Sequence, residues 1–455
     1  MKVTANLTVE KNNPLPALST HTSLRYFNFI ALYIAQGIPE GMAFFGIPAW
    51  MAMNGKTPGE IGSFVAAIGL PWSFKIVVAP LMDRFTYLPM GRRRPWVLFG
   101  QLGLMASFIA MAFVPDPLNN LNLFMASAFA VGLFGSIQDV ATDGMAIDIV
   151  PIHQQAKANG FMWGAKISGI SASLALGSWL LHKYSFSAAI LMLAFFVCLI
   201  MLVPLLLRER PGERLLPWTA GSASSEAQQL QLKSWSVIIK SLYSVFHLRN
   251  SLLMALLGFL VLGSFNYLAT LLPIFTVNAL GWTDQAYSQF FATASLIGGI
   301  AGMLIGGILI DRFGKTRMMT IYFLLLILLT SALVFFKSYW SNHWFISSFM
   351  VIEQALYVFT SIGMFAIAMQ CCWKKVSASQ FTLYMTISNL GRIAGAYLIG
   401  PIKKTFNWDY TLFAFVIMMA CALIVTRLIR INKHVESVND LERKDVESRL
   451  VTMPA

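Results

Sequence analysis

The chain has 455 residues, 57% hydrophobic and only 12% charged, with a net charge of +13 and a mean hydropathy of +0.66. A soluble protein of this length would form two or three water-facing domains, and a charged share about half the ~25% of such domains leaves too little polar surface for them. The basic excess sits in short loops between apolar stretches, which excludes a nucleic-acid face and points to the lipid bilayer as solvent.

Residues 1–25 form a polar tail without the pattern of a cleaved leader, so the first apolar helix is expected to be retained. A membrane-crossing helix needs about 20 mostly apolar residues. Twelve stretches qualify: 26–50, 59–82, 95–114, 121–145, 157–181, 185–207, 251–277, 285–310, 318–337, 344–370, 380–402 and 409–431. They fall into a six-helix unit over 26–207 and another over 251–431. The hydrophilic stretch 208–250 between them opens with Arg208-Glu209-Arg210-Pro211-Gly212, passes through a Gly/Ser/Ala/Gln-rich linker and ends in a candidate surface helix at 234–248. The tail 432–455 alternates charges and is expected to be exposed. The fold class expected is an all-α membrane protein with twelve transmembrane helices in two six-helix pseudo-repeats.

Orientation follows from Lys and Arg in the loops. Loops after even-numbered helices hold Arg84, Arg92, Arg93, Arg94, Lys157, Arg312, Lys315, Arg317, Lys374, Lys375 and six more in the central stretch. Those after odd-numbered helices hold only Lys56, Lys183, Lys337, Lys403 and Lys404. The bias predicts cytoplasmic termini and a cytoplasmic central loop.

An Asp-Arg-Phe loop recurs half a chain apart, each time after the second helix of its unit. The first copy is Asp83-Arg84-Phe85 followed by Gly91-Arg92-Arg93-Arg94; the second is Gly307, then Asp311-Arg312-Phe313-Gly314-Lys315 and Arg317. This resembles the signature loop GxxxDRxGxxR of the major facilitator superfamily of transporters. The second copy matches it fully, whereas the first has Ala79 for the leading Gly and a five-residue insert, 86–90. The resemblance implies that Asp83, Arg84, Arg92, Arg93, Arg94, Asp311, Arg312 and Arg317 form gating loops. It also implies that helices one, four, seven and ten line a central cavity.

Those helices carry unusual polarity. Helix one holds Gln36 and Glu40 in a stretch broken by Gly37, Pro39 and Gly41, where a bend is expected. Helix four holds Gln138, Asp139 and Asp143, the aspartates one turn apart on one face. Helix seven offers Asn266 and Tyr267, helix ten Glu353, Gln354 and Tyr357, while Lys75, Lys166 and Arg392 lie in helices two, five and eleven. Each such charge costs roughly 2.5–3.5 kcal/mol at membrane depth, so pairing, water or function must compensate. Structural ion pairs and a proton-binding role for Asp139 and Asp143, through mutual repulsion and desolvation, are both open. Rows of small residues, Gly160-Gly164-Ser168-Ala172 and Gly298-Gly302-Gly306, predict close helix packing.

Enzyme chemistry finds no foothold. The six histidines do not cluster, no GxxxxGK[ST] loop is present for ATP, and the four cysteines lack metal-ligand spacing, so no cofactor or metal is expected. A membrane-embedded transferase would need such a cluster. Several stretches resemble the peptide/acetyl-CoA/drug transporter group, which includes AmpG-type muropeptide permeases and related siderophore permeases. They are 79–84 with Lys75, Gly91 to Arg94 with Trp96, Gln138-Asp139 with Asp143, Asp148 and Pro151, and Glu353 with 377–381 and 390–392. The resemblance implies a monomeric, proton-coupled importer of a bulky polar small molecule, with muropeptide and siderophore as rival substrates and an acetyl-CoA-like or drug transporter as the alternative. Muropeptide permeases commonly place a large and then a basic residue after the second aspartate. Here Gly144-Met145-Ala146 stands instead, and with Ala158-Asn159-Gly160 downstream this is more similar to the acetyl-CoA transporters and the siderophore permeases of the group.

Overall fold

The computed structural model describes residues 16–56, 58–231, 234–282 and 284–451. Ten of its helices are long and apolar enough to cross a membrane. Two more, helix five (Gln155–Lys183) and helix eleven (Ser377–Thr405), are equally long but richer in Gly, Ser and Lys, and they complete the twelve. Large apolar side chains such as Phe195, Leu202, Leu206, Leu325 and Leu328 point outward, a surface stable only against lipid.

The first six spans are Thr22–Gly46, Ser63–Arg84, Arg94–Ala112, Leu121–Ile149, helix five and Phe186–Leu206. The second six are Arg249–Leu280, Phe290–Phe313, Lys315–Phe335, His343–Gln370, helix eleven and Trp408–Leu428. Helix four runs past the expected 145 to Ile149 and so absorbs Asp148 in its last turn. Helix one stays helical through Pro39 and then takes one π-helical turn over Met42–Gly46. Proline offers no N–H of its own, and the Met42 N–H is shared between the Ile38 and Pro39 carbonyls, which displaces the irregularity one turn onward. Helix two carries a 3₁₀ turn over Leu70–Phe74, and helix eight a π turn over Gly302–Gly306.

The two halves meet along helices five and eight. Their small-residue rows pack on each other: a Cβ on Gly160 would stand 2.9 Å from the Gly302 carbonyl, and one on Gly164 would stand 2.4 Å from Met303. Trp163 stacks on Phe365 of helix ten at 5.3 Å. On the other flank, helix eleven packs on the Lys75–Arg84 part of helix two and on helix four.

The connections are more ordered than polar composition suggests. Arg208, Glu209, Arg210 and Glu213 of the central stretch are buried, and Leu18 and Ser19 donate backbone hydrogen bonds to the Arg208 and Glu209 carbonyls at 2.8 and 3.1 Å. Within that stretch Ser225–Gln229 and Trp235–Phe246 are helical. The tail is helical over Ile431–Val451. It is exposed along much of its length, yet His434 is buried and meets the Cys371 carbonyl at 2.8 Å, while Asp445 pairs with Lys375 at 2.5 Å. The expectation of a fully exposed tail fails at those positions. Residues 1–15 and 452–455 lie outside the described residues.

Candidate functional site

Mid-membrane polar groups of the first half converge from four helices. Glu40 on helix one pairs with Lys166 on helix five at 2.7 Å. Lys75, held at the end of the 3₁₀ turn of helix two, pairs with Asp139 on helix four. Trp72 from that turn lies 4.1 Å from the Lys75 ammonium and 5.8 Å from that of Lys166, so one indole faces both cations. Asp143 has no cation within ion-pair distance among the described residues, and it accepts a hydrogen bond from the Tyr33 hydroxyl. The two aspartates share a helix face, as their spacing requires, but they do not share a partner. Sequence reasoning missed Tyr33 and Trp72, because an aromatic residue in an apolar helix carries no signal of its own.

Gln138 is buried with its amide donating to the Leu32 carbonyl at 3.1 Å, and Gln36 is buried with no partner among the described residues. In the second half, the Gln354 amide donates to Glu353 at 2.9 Å and its oxygen accepts from Ser295 at 3.3 Å. Asn266 donates to the Arg392 carbonyl at 2.9 Å. Tyr357 packs edge-on against Phe265 at 4.7 Å and lies within electrostatic reach of Arg392, Glu353 and Lys166, which places it between the halves. Tyr267 points elsewhere: its hydroxyl donates to the Thr411 carbonyl of helix twelve.

At the end of the bundle carrying the Asp-Arg loops, the halves are tied by charge. Asp83 is fully buried and accepts from Arg92 at 3.2 Å and Arg93 at 2.5 Å. Asp148 accepts from the same two arginines at 3.1 and 3.2 Å. Two acids and two bases thus form a closed square, which reaches the other half through six further contacts, one of them from Arg93 to the Ser377 hydroxyl at 3.0 Å. Ser379 donates its backbone N–H and hydroxyl to Asp83 at 3.1 and 2.6 Å. The Ser377 hydroxyl meets Asp148 at 2.7 Å, and Arg92 donates to the Lys374 and Lys375 carbonyls, both at 2.7 Å. Burial works against both guanidiniums; the carboxylates outweigh it at Arg93, which is held above the ordinary arginine value, while Arg92, beside Arg93, is lowered.

The other loop residues do different work. Arg94 donates to the Pro204, Leu205, Arg214 and Leu215 carbonyls at 2.6–3.0 Å, fastening the start of the central stretch within its own half. Glu209 accepts from the Arg93 and Arg94 backbone N–H groups at 2.9 and 3.1 Å. In the second copy, Asp311 accepts the Ala156 and Lys157 N–H groups at 3.2 and 2.8 Å, capping helix five from across the interface. Lys315 joins Gln155 and Gln370 at 3.0 and 2.9 Å. Arg84 and Arg312 sit over Phe85 and Phe313, Arg317 is exposed, and none of the three enters an ion pair found among the described residues. Their expected place in the charge network is not where the structure puts them. The partners Ser377, Ser379, Glu209 and Lys315 were invisible as a set because Glu209, Ser377 and Ser379 lie 116 to 296 residues from the Arg93, Asp148 and Asp83 groups they meet, and Lys315 lies 160 from Gln155.

The family model of the Major Facilitator Superfamily matches residues 29–396, most of the chain. The chain belongs to that superfamily. An anhydromuropeptide permease of Escherichia coli strain K12 is 26% identical over 419 residues, covering 90% of this chain and 81% of the permease. Among solved structures, the superfamily transporter FucP in the outward conformation aligns with a TM-score of 0.66 at 15% identity, over 89% of this chain and 98% of that one. A bacterial homologue of the iron transporter ferroportin in an outward-facing state aligns with a TM-score of 0.64 at 11% identity, over 90% and 99%. The protein is therefore a membrane-embedded secondary transporter for a small-molecule substrate, with the two-bundle architecture of its superfamily.

The departure at Gly144 has a packing cause. A Cβ there would stand 3.0–3.3 Å from the Arg93 guanidinium, so glycine makes room for the charge square. Position 144 faces the loop-end network rather than the mid-membrane groups.

Proposed function

We propose that this transporter is a proton-coupled importer of the muropeptide class, working as a monomer by alternating access in a bacterial inner membrane, with both termini and the central loop cytoplasmic. The observation that carries the substrate class is the similarity to the E. coli anhydromuropeptide permease across 90% of the chain. The residues that favoured a siderophore, Gly144 and Gly160, each have a packing reason, so they no longer discriminate between substrates.

In this reading the charge square and the Asp311 cap are the cytoplasmic gate, closed while the mid-membrane groups await substrate from the other side. Rocking of the halves breaks the Ser377, Ser379, Lys374 and Lys375 contacts and leaves the square itself within the first half. Asp143 is the proton carrier. A carboxylate at membrane depth without a counter-cation is costly, a proton removes that cost, and Tyr33 can donate to the carboxylate or accept from the acid. Asp139, paired with Lys75, is structural.

The test uses membrane vesicles and labelled 1,6-anhydromuropeptide. The intact protein should accumulate it against a gradient in a protonophore-sensitive way. Asp143→Asn should abolish accumulation yet retain exchange of internal for external substrate. Full accumulation by stable Asp143→Asn protein, still abolished by protonophore, would refute the carrier role; no uptake of muropeptide by the intact protein would refute the substrate class.

A further inference from the structure

Every cation of the mid-membrane region is matched to an acid except one. Lys75 pairs with Asp139 and Lys166 with Glu40, whereas the Arg392 guanidinium has no carboxylate within ion-pair distance among the described residues. An unpaired arginine within a transmembrane helix carries a cost of roughly 2.5–3.5 kcal/mol, so its retention calls for a partner.

Its direction follows from helix geometry. Arg392 lies eleven residues after Phe381, three turns of helix, hence on nearly the same face and about 16 Å further from the loop end. The Phe381 ring meets Phe365 at 6.3 Å, and Phe365 stacks on Trp163 of the opposite half. That face of helix eleven looks into the space between the halves. Tyr357, within electrostatic reach of both Arg392 and Lys166, agrees with this placement. The Arg392 side chain is exposed there, and its backbone is pinned by Asn266.

We infer that Arg392 is the anchor for an acidic group of the substrate, a carboxylate or phosphate held by the two-pronged guanidinium, so that the transported molecule is anionic. The inference rests on the transport function proposed above and adds the charge of the cargo and the residue that reads it. A planar fork of N–H donors suits a carboxylate better than an ammonium does, and the two lysines nearby are already occupied. The anchor also explains how charge balances. One anionic group arriving at Arg392 together with one proton on Asp143 leaves the net charge of the cleft unchanged. Neither then has to be moved through the membrane as an isolated charge. The cation absent after Asp143, where Gly144-Met145-Ala146 stands, is thus supplied from the other half of the molecule.

The experiment has two readouts on purified full-length protein in detergent. First, affinity for a disaccharide 1,6-anhydromuropeptide with free carboxyls and for its fully amidated form is read by tryptophan fluorescence, since Trp72 and Trp163 border the site. The intact protein should prefer the acid by about ten- to a hundred-fold, the size of a charge-assisted hydrogen-bond pair. Arg392→Gln should bring the acid down to the affinity of the amide, and Arg392→Lys should recover part of the preference. A preference that survives Arg392→Gln overturns the anchor. Second, Asn266→Cys, in a background lacking the native cysteines, is labelled with anionic and cationic methanethiosulfonates. The anionic reagent should react about ten times faster than in the same protein carrying Arg392→Gln. Equal ratios, or no labelling by either reagent, also overturn the anchor. If the intact protein binds neither muropeptide form while labelling remains Arg392-dependent, the muropeptide reading falls and the anion anchor stands.

Discussion

Asp83→Asn should unlock the loop end of the transporter. Asp83 contributes to closure through one oxygen, which accepts both the Ser379 N–H and the Ser379 hydroxyl, while its other oxygen holds Arg92 and Arg93. Hydrogen bonds to a charged acceptor contribute about 1.5–3 kcal/mol each, against about 0.5–1.5 kcal/mol for a neutral one. Asparagine keeps an acceptor oxygen, so the loss at the two cross-half bonds is about 2–3 kcal/mol. The open-to-closed ratio at the loop end should then rise by about 30- to 150-fold. The within-half part of the network survives in both states, because Asp148 still accepts from both arginines, so the protein should remain inserted. Spin labels at the exposed positions Phe85 and Phe313, one on each half, read the change as a shift to longer distances in double electron–electron resonance. Asp311→Asn should shift the same distances less, since two backbone donors to a half-buried carboxylate are all it loses. An unchanged distance distribution in Asp83→Asn at normal expression would refute the assignment of Asp83 to closure.

Lys75→Met should lower thermal stability strongly, because removing one partner of a buried pair strands the other at a cost of about 3–5 kcal/mol, and adding Asp139→Asn should restore much of it. Melting of the purified variants checks this; a double variant no more stable than Lys75→Met excludes the clamp. In the central stretch, burial first and the Glu209 carboxylate second push the Glu213 carboxyl up to about 8. Between an ordinary glutamate value of about 4.3 and that value, the docked stretch keeps a proton that the undocked one has lost, so docking weakens as pH rises through this window. Trypsin cleavage after Arg214, corrected with a peptide control, should accelerate from pH 6 to 8.5, and Glu213→Gln should flatten the profile.

The twelve helices were legible because length and apolarity are local properties. Even helices five and eleven, richer in Gly, Ser and Lys than the rest, read as mostly apolar stretches at 157–181 and 380–402. Pairing was not legible. Asp139 and Asp143 share a face by helical geometry, but the 3₁₀ turn in helix two decides that Lys75 reaches only Asp139, and no composition rule foretells that turn. The burial of Glu209 and Glu213 was hidden for the opposite reason. A charged, glycine-bearing stretch reads as solvated loop, yet the unmet N–H groups of Arg93 and Arg94 at the start of helix three draw Glu209 inward, and Glu213 accepts from the Arg210 N–H and the Ser224 hydroxyl within the stretch itself.

The two Asp-Arg loops show why motif fidelity and structural weight can diverge. The second copy matches the family pattern at every position, yet it contributes a helix cap and one lysine. The first copy departs twice, and its departures supply the network. The insert 86–90 ends at Gly91, whose φ of 107° favours glycine, and a Cβ there would stand 2.7 Å from the Glu209 carboxylate. That turn delivers Arg92, Arg93 and Arg94 in three directions: to the other half, to the acids of its own half, and to the carbonyls at the end of helix six and the start of the central stretch. Three consecutive arginines on a regular helix would fan out by 100° each, with at least one facing lipid. With Arg92 and Arg93 held in the turn after the insert and Arg94 opening helix three, all three are fully buried. Most of the polar contacts between the halves at this end therefore come from the irregular copy, and a change in the insert should alter the resting state more than any change at Arg312 or Arg317.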